Sequence, residues 1–460
     1  MHLVSINDIA KITGGVLRQG RPAAEFRQIA TDSRDLAPGS LFIALRGEKY
    51  DAHLFLEQAI AAGAAGLMVD REIRLPEKDT PVVEVADTLT GLQSLAAWNR
   101  NRCNIPMVGI TGSTGKTTTK DILASVLNVR LRTEKTKDNY NNEIGLPLTV
   151  LQIDENCEAA VIEMGMRGPG QIDALCRIAR PTIAVITNIG EAHMELLGTV
   201  DNIAAAKGEI LDHIPEDGLA VLPANGAFIR REAGRCRGRV IYFGIEEDCE
   251  VSAKNIRSSR HGNYFTVEAD GLNEEYFLPM PGRHNVLNAL AAVAVSREIG
   301  LSADEIGRGL LQAVATQMRL EIINLGEVTV INDTYNANPT SVKAALQVLQ
   351  EISSRGKKVA VLGDMLELGD SGAARHREVG AEAAAVGVDR LVTVGVMAAK
   401  IAEGAKDSGV AGCVVYPCAD RAAAIEVLHR VIQPGDTLLV KGSRSMGMER
   451  IVEWLLRADK

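Results

Sequence analysis

Two hydrophobic periodicities alternate along this chain. Short runs of apolar and β-branched residues end in polar or glycine positions, and stretches with apolar residues three and four apart lie between them. Over the first 85 or so residues the runs at 41–45 and 66–69 read as strands, 54–62 as a short amphipathic helix, and 5–12 as a helix capped by Ser5 or Asn7. Two prolines and several charges at 75–81 interrupt the pattern near a plausible boundary. From about residue 86 the alternation lengthens. A strand at 107–110 runs into a glycine-rich turn and a helix at 117–129, and strands at 159–163 and 182–187 repeat the theme. Continuous apolar strands of this kind belong to parallel sheets buried on both faces.

Residues 236–280 depart from that rule. Runs at 240–243, 251–253 and 264–267 alternate as a small β appendage, after which 281–299 is a long alanine-rich helix. The last third, from about residue 317, carries strands at 328–331, 358–362, 391–394, 414–416 and 437–440, with helices such as 341–352 and 421–431 between them. This is a doubly wound, Rossmann-like pattern. The expected fold is therefore α/β in three domains: a small N-terminal unit (1–85), a central phosphate-loop domain with a mostly parallel sheet and the β appendage (86–316), and a Rossmann-like C-terminal domain (317–460). The length of 460 residues suits three domains.

Composition narrows the class. Hydrophobic residues make up 46% and charged residues 24%, which excludes disorder. The 43 glycines far exceed the seven Phe, seven Tyr and two Trp, as expected of glycine-turned α/β proteins rather than aromatic-cored β sandwiches. A net charge of −9 speaks against nucleic acid as a partner, because phosphate neutralisation needs a basic face. The seven cysteines are scattered without metal-ligand spacing, which predicts a reduced, cytoplasmic protein. No signal peptide and no membrane insertion are expected, since no run approaches the ~20 apolar residues needed to span a bilayer.

The chemistry is concentrated in GITGSTGKTTTK, residues 109–120. Glycines between a strand and a helix let backbone N–H groups turn onto an anion, and the helix N-terminus adds partial positive charge. Gly112, Ser113, Thr114, Gly115 and Thr118 would cradle phosphates. Lys116 would reach the β- and γ-phosphates, and the Thr117 hydroxyl would ligate Mg²⁺. The usual spacing places glycine at 110, where this chain has Ile110 between Gly109 and Gly112.

Downstream, KDNYNNEIGLPL (137–148) is too polar for a core, and its asparagines fit either a surface turn or a loop lining a cleft. Glu163 ends a parallel strand, where α/β folds place ligands; it either completes a Mg²⁺ shell with Thr117 or merely closes the strand. His193 follows the next strand beside Glu191 and Glu195, as a structural histidine or a metal ligand. Lys207 follows an alanine run, and by itself it reads as a solvated helix lysine near Glu209.

Taken in order, TDSR (31–34), LFIALRG (41–47), GITGSTGKTTTK, DNYNNEIGLP, EMGMRGPGQI, TNIGEAHMELLGT, GRHNVLNALAA (282–292), NDTYNANPTS (332–341), LGDMLELG (362–369) and KGSRS (441–445) resemble the Mur ligases, ATP-dependent amide-forming enzymes of peptidoglycan precursor synthesis. The resemblance spans essentially the whole chain and includes the shifted phosphate loop. It implies ATP and two Mg²⁺ ions, with Lys116, His193 and Lys207 catalytic. Thr117 and Glu163 would serve the first ion and His193 the second, with Lys207 carried as a carbamate that bridges metals. This reverses the reading of Lys207 from its neighbours alone.

The resemblance also implies that His284, Asn285 and Asn288 face adenine, and that Arg319 and Asp333 reach ATP from the C-terminal domain. Ser33 and Arg34 would serve the uridine diphosphate, with Asn142 and Asn336 also on the substrate side. The implied small-molecule substrates are UDP-N-acetylmuramoyl-tripeptide and D-Ala-D-Ala, joined through an acyl phosphate by a monomeric enzyme. Folate-directed ligases share the ATP chemistry, but TDSR and NDTYNANPTS argue against that alternative.

Overall fold

The computed structural model describes residues 1–47, 49–73 and 79–458; most of the proline-bearing boundary stretch at 75–81 lies outside them. The N-terminal helix Ile6–Thr13 begins at Ser5, whose hydroxyl accepts the Asp8 N–H, and stops at Gly14 with φ 66°. Ser5, not Asn7, is therefore the cap. The five-stranded sheet of this part runs in the order Val16–Gln19, Val82–Glu84, Gly66–Val69, Leu41–Ile43, Ile29–Ala30. All pairs are parallel except the first. The predicted helix at 54–62 opens as a 3₁₀ turn, Ala52–Phe55, before Leu56–Ala61.

The central sheet has nine strands, in the order Leu272–Leu278, Gly262–Ala269, Val251–Ser259, Arg239–Ile245, Leu219–Pro223, Ile183–Ile186, Met107–Thr111, Ala159–Glu163, Thr133–Lys135. The β appendage continues this sheet: Arg239–Ile245 pairs parallel with Val251–Ser259, and the last three strands form antiparallel hairpins. The inner strands are buried on both faces. Val108 and Ile110 pack beneath helices Lys116–Leu127, Arg283–Glu298 and Ala303–Leu311. Met107, Ala160 and Ile162 point oppositely, into a core that contains Leu92 and Leu95 of helix Thr88–Arg100 together with Met68 and Val83 of the first sheet. That helix thus joins the first sheet and the central sheet in one hydrophobic core. Buried Asn99 at its end donates to the Val150 and Ile153 carbonyls at 3.0 and 2.9 Å and accepts from His2 N–H.

The third sheet runs Glu321–Leu325, Val328–Asp333, Thr437–Lys441, Lys358–Gly363, Arg390–Val394, Val414–Cys418, parallel after the first antiparallel pair. The edge strand Glu321–Leu325 has no counterpart among the predicted strands. Its hairpin turn through Gly326 (φ 53°) is too short and polar to stand out beside the long apolar runs.

Two features of this architecture matter for function. Strand Met107–Thr111 lies between its sequence-distant neighbours, and so does Thr437–Lys441, so each sheet opens a crevice at the carboxyl ends of its strands. The two crevices face each other across one cleft.

Candidate active site

Residues from the carboxyl ends of both sheets line a cleft of about 450 Å³. The central domain supplies Ser113 to Thr118, Asn141, Glu163, Asn188, His284, Asn285 and Asn288. The C-terminal domain supplies Arg319, Asp333, Tyr335, Asn336 and Lys441.

The phosphate loop is held by its neighbours. Gly112 has φ 150°, and a Cβ there would collide with the Thr187 hydroxyl; Gly115 has φ 80°, and its Cβ would lie 2.6 Å from Asn288 Oδ1. Both positions therefore demand glycine. Asn188 Oδ1 accepts the Ser113 and Thr114 N–H groups at 3.1 and 2.9 Å, and Ser113 Oγ donates to the Gly190 carbonyl. Asn188 is a site residue that the sequence motifs did not single out. It lies in the motif TNIGEAHMELLGT, directly after the apolar strand Ile183–Ile186, and both place it near the loop.

Lys116 Nζ donates to the Gly112 carbonyl at 2.8 Å. Burial lowers its pKa, Glu163 opposes that and Arg319 adds to it, so the cleft already concentrates positive charge where an anion is expected. Thr117 Oγ1 donates to Glu163 Oε2 at 2.8 Å, and Asn141 Nδ2 holds the other carboxylate oxygen at 2.8 Å. Glu163 is 2% exposed. Asn141, rather than its predicted neighbour Asn142, faces the cleft. Asn142 is exposed and turns back to accept the Ile144 and Gly145 N–H groups at the start of helix Gly145–Gln152.

The helix Arg283–Glu298 brings a ladder of amides to the same wall. Asn288 Oδ1 accepts from Thr119 Oγ1, Asn288 Nδ2 donates to Asn285 Oδ1, and Asn285 Nδ2 donates to the Pro281 carbonyl. His284 stands at the helix start. Burial pushes its pKa down to about 4, Asp333 across the cleft resists and Lys441 assists, so the ring is neutral near pH 7.

From the other domain, the Arg319 guanidinium lies over the Tyr335 ring, 4.1 Å from its centroid, and its buried Nε has no hydrogen-bond partner. Asp333 bonds Lys441 Nζ at 2.5 Å and accepts the Leu320 N–H. Lys441 Nζ also donates to the Asn336 carbonyl, and the Asn336 side chain accepts the Ala337 N–H. Arg319, Asp333 and Asn336 thus line the same cleft as the phosphate loop, although more than a hundred residues separate them from it.

His193 and Lys207 do not line this cleft. His193 sits in the left-handed region (φ 62°), and its Nδ1 pairs with Glu367 Oε2 of the C-terminal domain at 2.7 Å. Burial lowers its pKa and Glu367 opposes the shift, with nearby Lys207 lowering it further. Lys207 is 1% exposed on helix Val200–Asp212, and its amine makes no hydrogen bond or ion pair among the described residues. Its amine lies far below the ordinary lysine range, chiefly through burial and then through Lys116. Pairing with Glu209 is excluded: that carboxylate accepts the Gly170 and Asp173 N–H groups at the start of helix Gln171–Ala179. No group of three or more His, Cys, Asp or Glu able to hold a metal occurs among the described residues.

Ser33 and Arg34 lie apart from the cleft, in the N-terminal domain. Arg34 is exposed and folds onto Asp32 at 2.6 Å, which holds the Asp32 carboxyl at about 2.

Three family models match the chain: the Mur ligase family catalytic domain over residues 25–100, the Mur ligase middle domain over 110–296, and the Mur ligase glutamate ligase domain over 318–444. The chain belongs to the Mur ligase family. It is 40% identical to the UDP-N-acetylmuramoyl-tripeptide–D-alanyl-D-alanine ligase of Bacillus subtilis, over 99% of this chain and 98% of that one. Among solved structures it is similar to MurF from Acinetobacter baumannii, with 35% identity, a TM-score of 0.91 and 99% of each chain covered. It is also similar to the MurF ligase of Thermotoga maritima in complex with ADP, with 28% identity, a TM-score of 0.83, and 94% of this chain and 98% of that one covered. The shifted phosphate loop and the facing crevices are thus the ATP-dependent ligase architecture of a Mur ligase. No helix among the described residues is long and apolar enough to cross a membrane.

Proposed function

We propose that this Mur ligase joins D-alanyl-D-alanine to the free carboxylate of UDP-N-acetylmuramoyl-tripeptide, converting ATP to ADP and phosphate. The observation that carries the reading is the shared cleft: a phosphate loop and a buried carboxylate on one wall, and a cationic side chain from another domain on the facing wall. The acceptor and donor follow the full-length relatives of that name.

The loop amides of residues 112–115 and the N-terminus of helix Lys116–Leu127 bind the ATP phosphates, with Lys116 on the β- and γ-oxygens. Asn285, Asn288 and neutral His284 take the adenine side. Thr117 Oγ1 and Glu163 are adjacent hard oxygen donors at the end of a strand, and they fit Mg²⁺. That ion would neutralise phosphate charge as the anionic nucleophile approaches.

Near His193 the fit depends on Lys207. A bare ammonium beside Lys116 repels a second cation, whereas a carbamate turns it into an oxygen ligand. A buried amine without a partner, whose hold on its proton burial weakens, is poised to lose that proton and add to CO₂, forming N–CO₂⁻.

The substrate carboxylate attacks the γ-phosphorus, ADP leaves, and the amine of the dipeptide then displaces phosphate from the acyl phosphate through a tetrahedral intermediate. Lys116 and Arg319 offset the charge that gathers at the phosphoryl group, and closure of the C-terminal domain brings Arg319 and Asp333 to it. Ser33 and Arg34 bind the uridine diphosphate in the N-terminal domain, which with the ATP-binding central and dipeptide-side C-terminal domains spans 1–85, 86–316 and 317–460. Asn336 faces the incoming dipeptide. The enzyme acts as a cytoplasmic monomer.

The test is phosphate release from ATP with UDP-N-acetylmuramoyl-tripeptide, with and without D-Ala-D-Ala. Release independent of the dipeptide, or no pentapeptide product, refutes the assignment.

A further inference from the structure

Residues 313–320 link the last helix of the central domain, Ala303–Leu311, to the first strand of the C-terminal sheet, Glu321–Leu325. This link presents Arg319. On either side of it, Met318 (φ 59°) and Leu320 (φ 52°) occupy the left-handed region that residues with side chains avoid. Such backbone persists only where its surroundings over-determine it.

On the C-terminal side the restraints are plain. Met318 N–H donates to Glu321 Oε2 at 3.1 Å, Leu320 N–H to Asp333 Oδ1 at 3.2 Å, and Tyr335 N–H to the Met318 carbonyl at 3.2 Å. On the central side, apart from the Ala313 N–H that turns back onto the Leu310 carbonyl at 3.2 Å, one hydrogen bond joins the link to the rest of the domain among the described residues: Thr316 Oγ1 donates to Asp121 Oδ2 at 2.7 Å. Asp121 sits on helix Lys116–Leu127, little more than one turn beyond Lys116. Its other oxygen is fixed by Lys135 at 2.6 Å, with Lys120 at 3.3 Å. Thr316 in turn accepts the Arg319 N–H through its carbonyl at 3.1 Å. The helix that opens at the phosphate loop is therefore tied, through two side chains and one peptide, to the backbone of the arginine that faces that loop.

We propose that Asp121 and Thr316 are positioning residues, anchoring the root of the Arg319 link on the phosphate-loop helix so that the guanidinium arrives in register when the domains close. Neither side chain lines the cleft, so neither is placed to touch ATP. The proposal rests on Arg319 acting toward ATP.

The experiment measures tripeptide- and dipeptide-dependent phosphate release by the full-length enzyme. Thr316→Val, nearly isosteric, is expected to lower kcat about tenfold, within the ~100-fold that a 1 Å misplacement can cost. KM for the uridine substrate and the melting temperature should stay at wild-type values. Thr316→Ser, which keeps the hydroxyl, should restore kcat, and Asp121→Ala should match Thr316→Val. If Asp121→Ala does not fold, the two Thr316 variants decide.

The decisive arm is Arg319→Ala with and without Thr316→Val. A positioning role predicts that the second substitution adds less than about twofold once the arginine is gone. Wild-type kcat in Thr316→Val, or a loss that multiplies with that of Arg319→Ala, overturns the proposal. Full activity in Arg319→Ala removes the premise as well as the proposal. That outcome is distinct from an inert Thr316→Val beside a crippled Arg319→Ala.

Discussion

Replacing Gly115 by alanine tests whether the phosphate loop has the geometry described. At φ 80° an alanine side chain meets the steric cost of the left-handed region, about 1–2 kcal/mol. The new Cβ would also lie 2.6 Å from Asn288 Oδ1, so the amide must move. Moving it strains two hydrogen bonds, to Thr119 at 3.2 Å and to Asn285 at 3.1 Å, each contributing roughly 0.5–1.5 kcal/mol. With partial relaxation the sum is about 2–4 kcal/mol. At roughly 2–4 °C per kcal/mol for a domain of this size, the central domain should melt on the order of 10 °C lower. Any part of the cost relieved by distorting the loop appears instead as a higher KM for ATP, tenfold for each ~1.4 kcal/mol. Calorimetry and ATP-dependent phosphate release measure the two shares. The clash is separable from the φ strain: adding Asn288→Gly to Gly115→Ala should cost less than the two single effects combined, because the colliding atom is gone. A Gly115→Ala enzyme with wild-type melting and wild-type KM for ATP would refute the loop geometry.

Lys207→Met should abolish ligation without lowering the melting temperature, because it removes a buried, unpaired amine rather than a contact. Lys207→Ala should regain part of its activity with short carboxylic acids, and full activity in the unrescued variant rules out the carbamate. His284 has a folded pKa of about 4 against about 6.5 unfolded. Between those values the unfolded chain binds more protons, so stability is lost as pH falls from about 6.5 to about 4, by up to ~3 kcal/mol. Urea midpoints at pH 7 and pH 4.5 should therefore differ less in His284→Gln than in the wild type. The interdomain pairs Arg375–Glu191 and His193–Glu367 are partly exposed and worth no more than ~1 kcal/mol each. Arg375→Ala with Glu367→Ala should accordingly leave the melting temperature nearly unchanged while small-angle scattering shows a more open chain; an unchanged radius of gyration would remove these pairs from the closure.

Much of the site is local in origin, and so it is legible as a string. The phosphate loop needs glycine at 112 and 115 because of backbone geometry, and a strand, a turn and a helix follow one another within a dozen residues. Glu163 is exposed to the same logic, since the carboxyl end of a buried parallel strand is where α/β crevices open. Asn141 and Asn142 show where that logic ends. Adjacent and chemically identical, they differ only in which way a turn directs them: one holds Glu163 and the other starts a helix.

Lys207 is the sharper case. Nothing in its neighbours distinguishes a solvated lysine from one that is 1% exposed without a partner. The difference arises because helix Val200–Asp212 packs against the sheet and leaves its Glu209 to cap another helix.

Periodicity and glycine placement were thus enough to predict a three-domain α/β fold and a candidate phosphate loop, because strand burial and tight turns are short-range demands that each residue either meets or fails. Tertiary structure alone brought Arg319, Asp333 and Lys441 opposite Lys116 and Glu163, turned Asn188 onto the loop, and set Asp121 against Thr316. Those contacts span tens to hundreds of residues. They depend on how one sheet's crevice is aimed at the other's, which no local pattern of polar and apolar residues encodes.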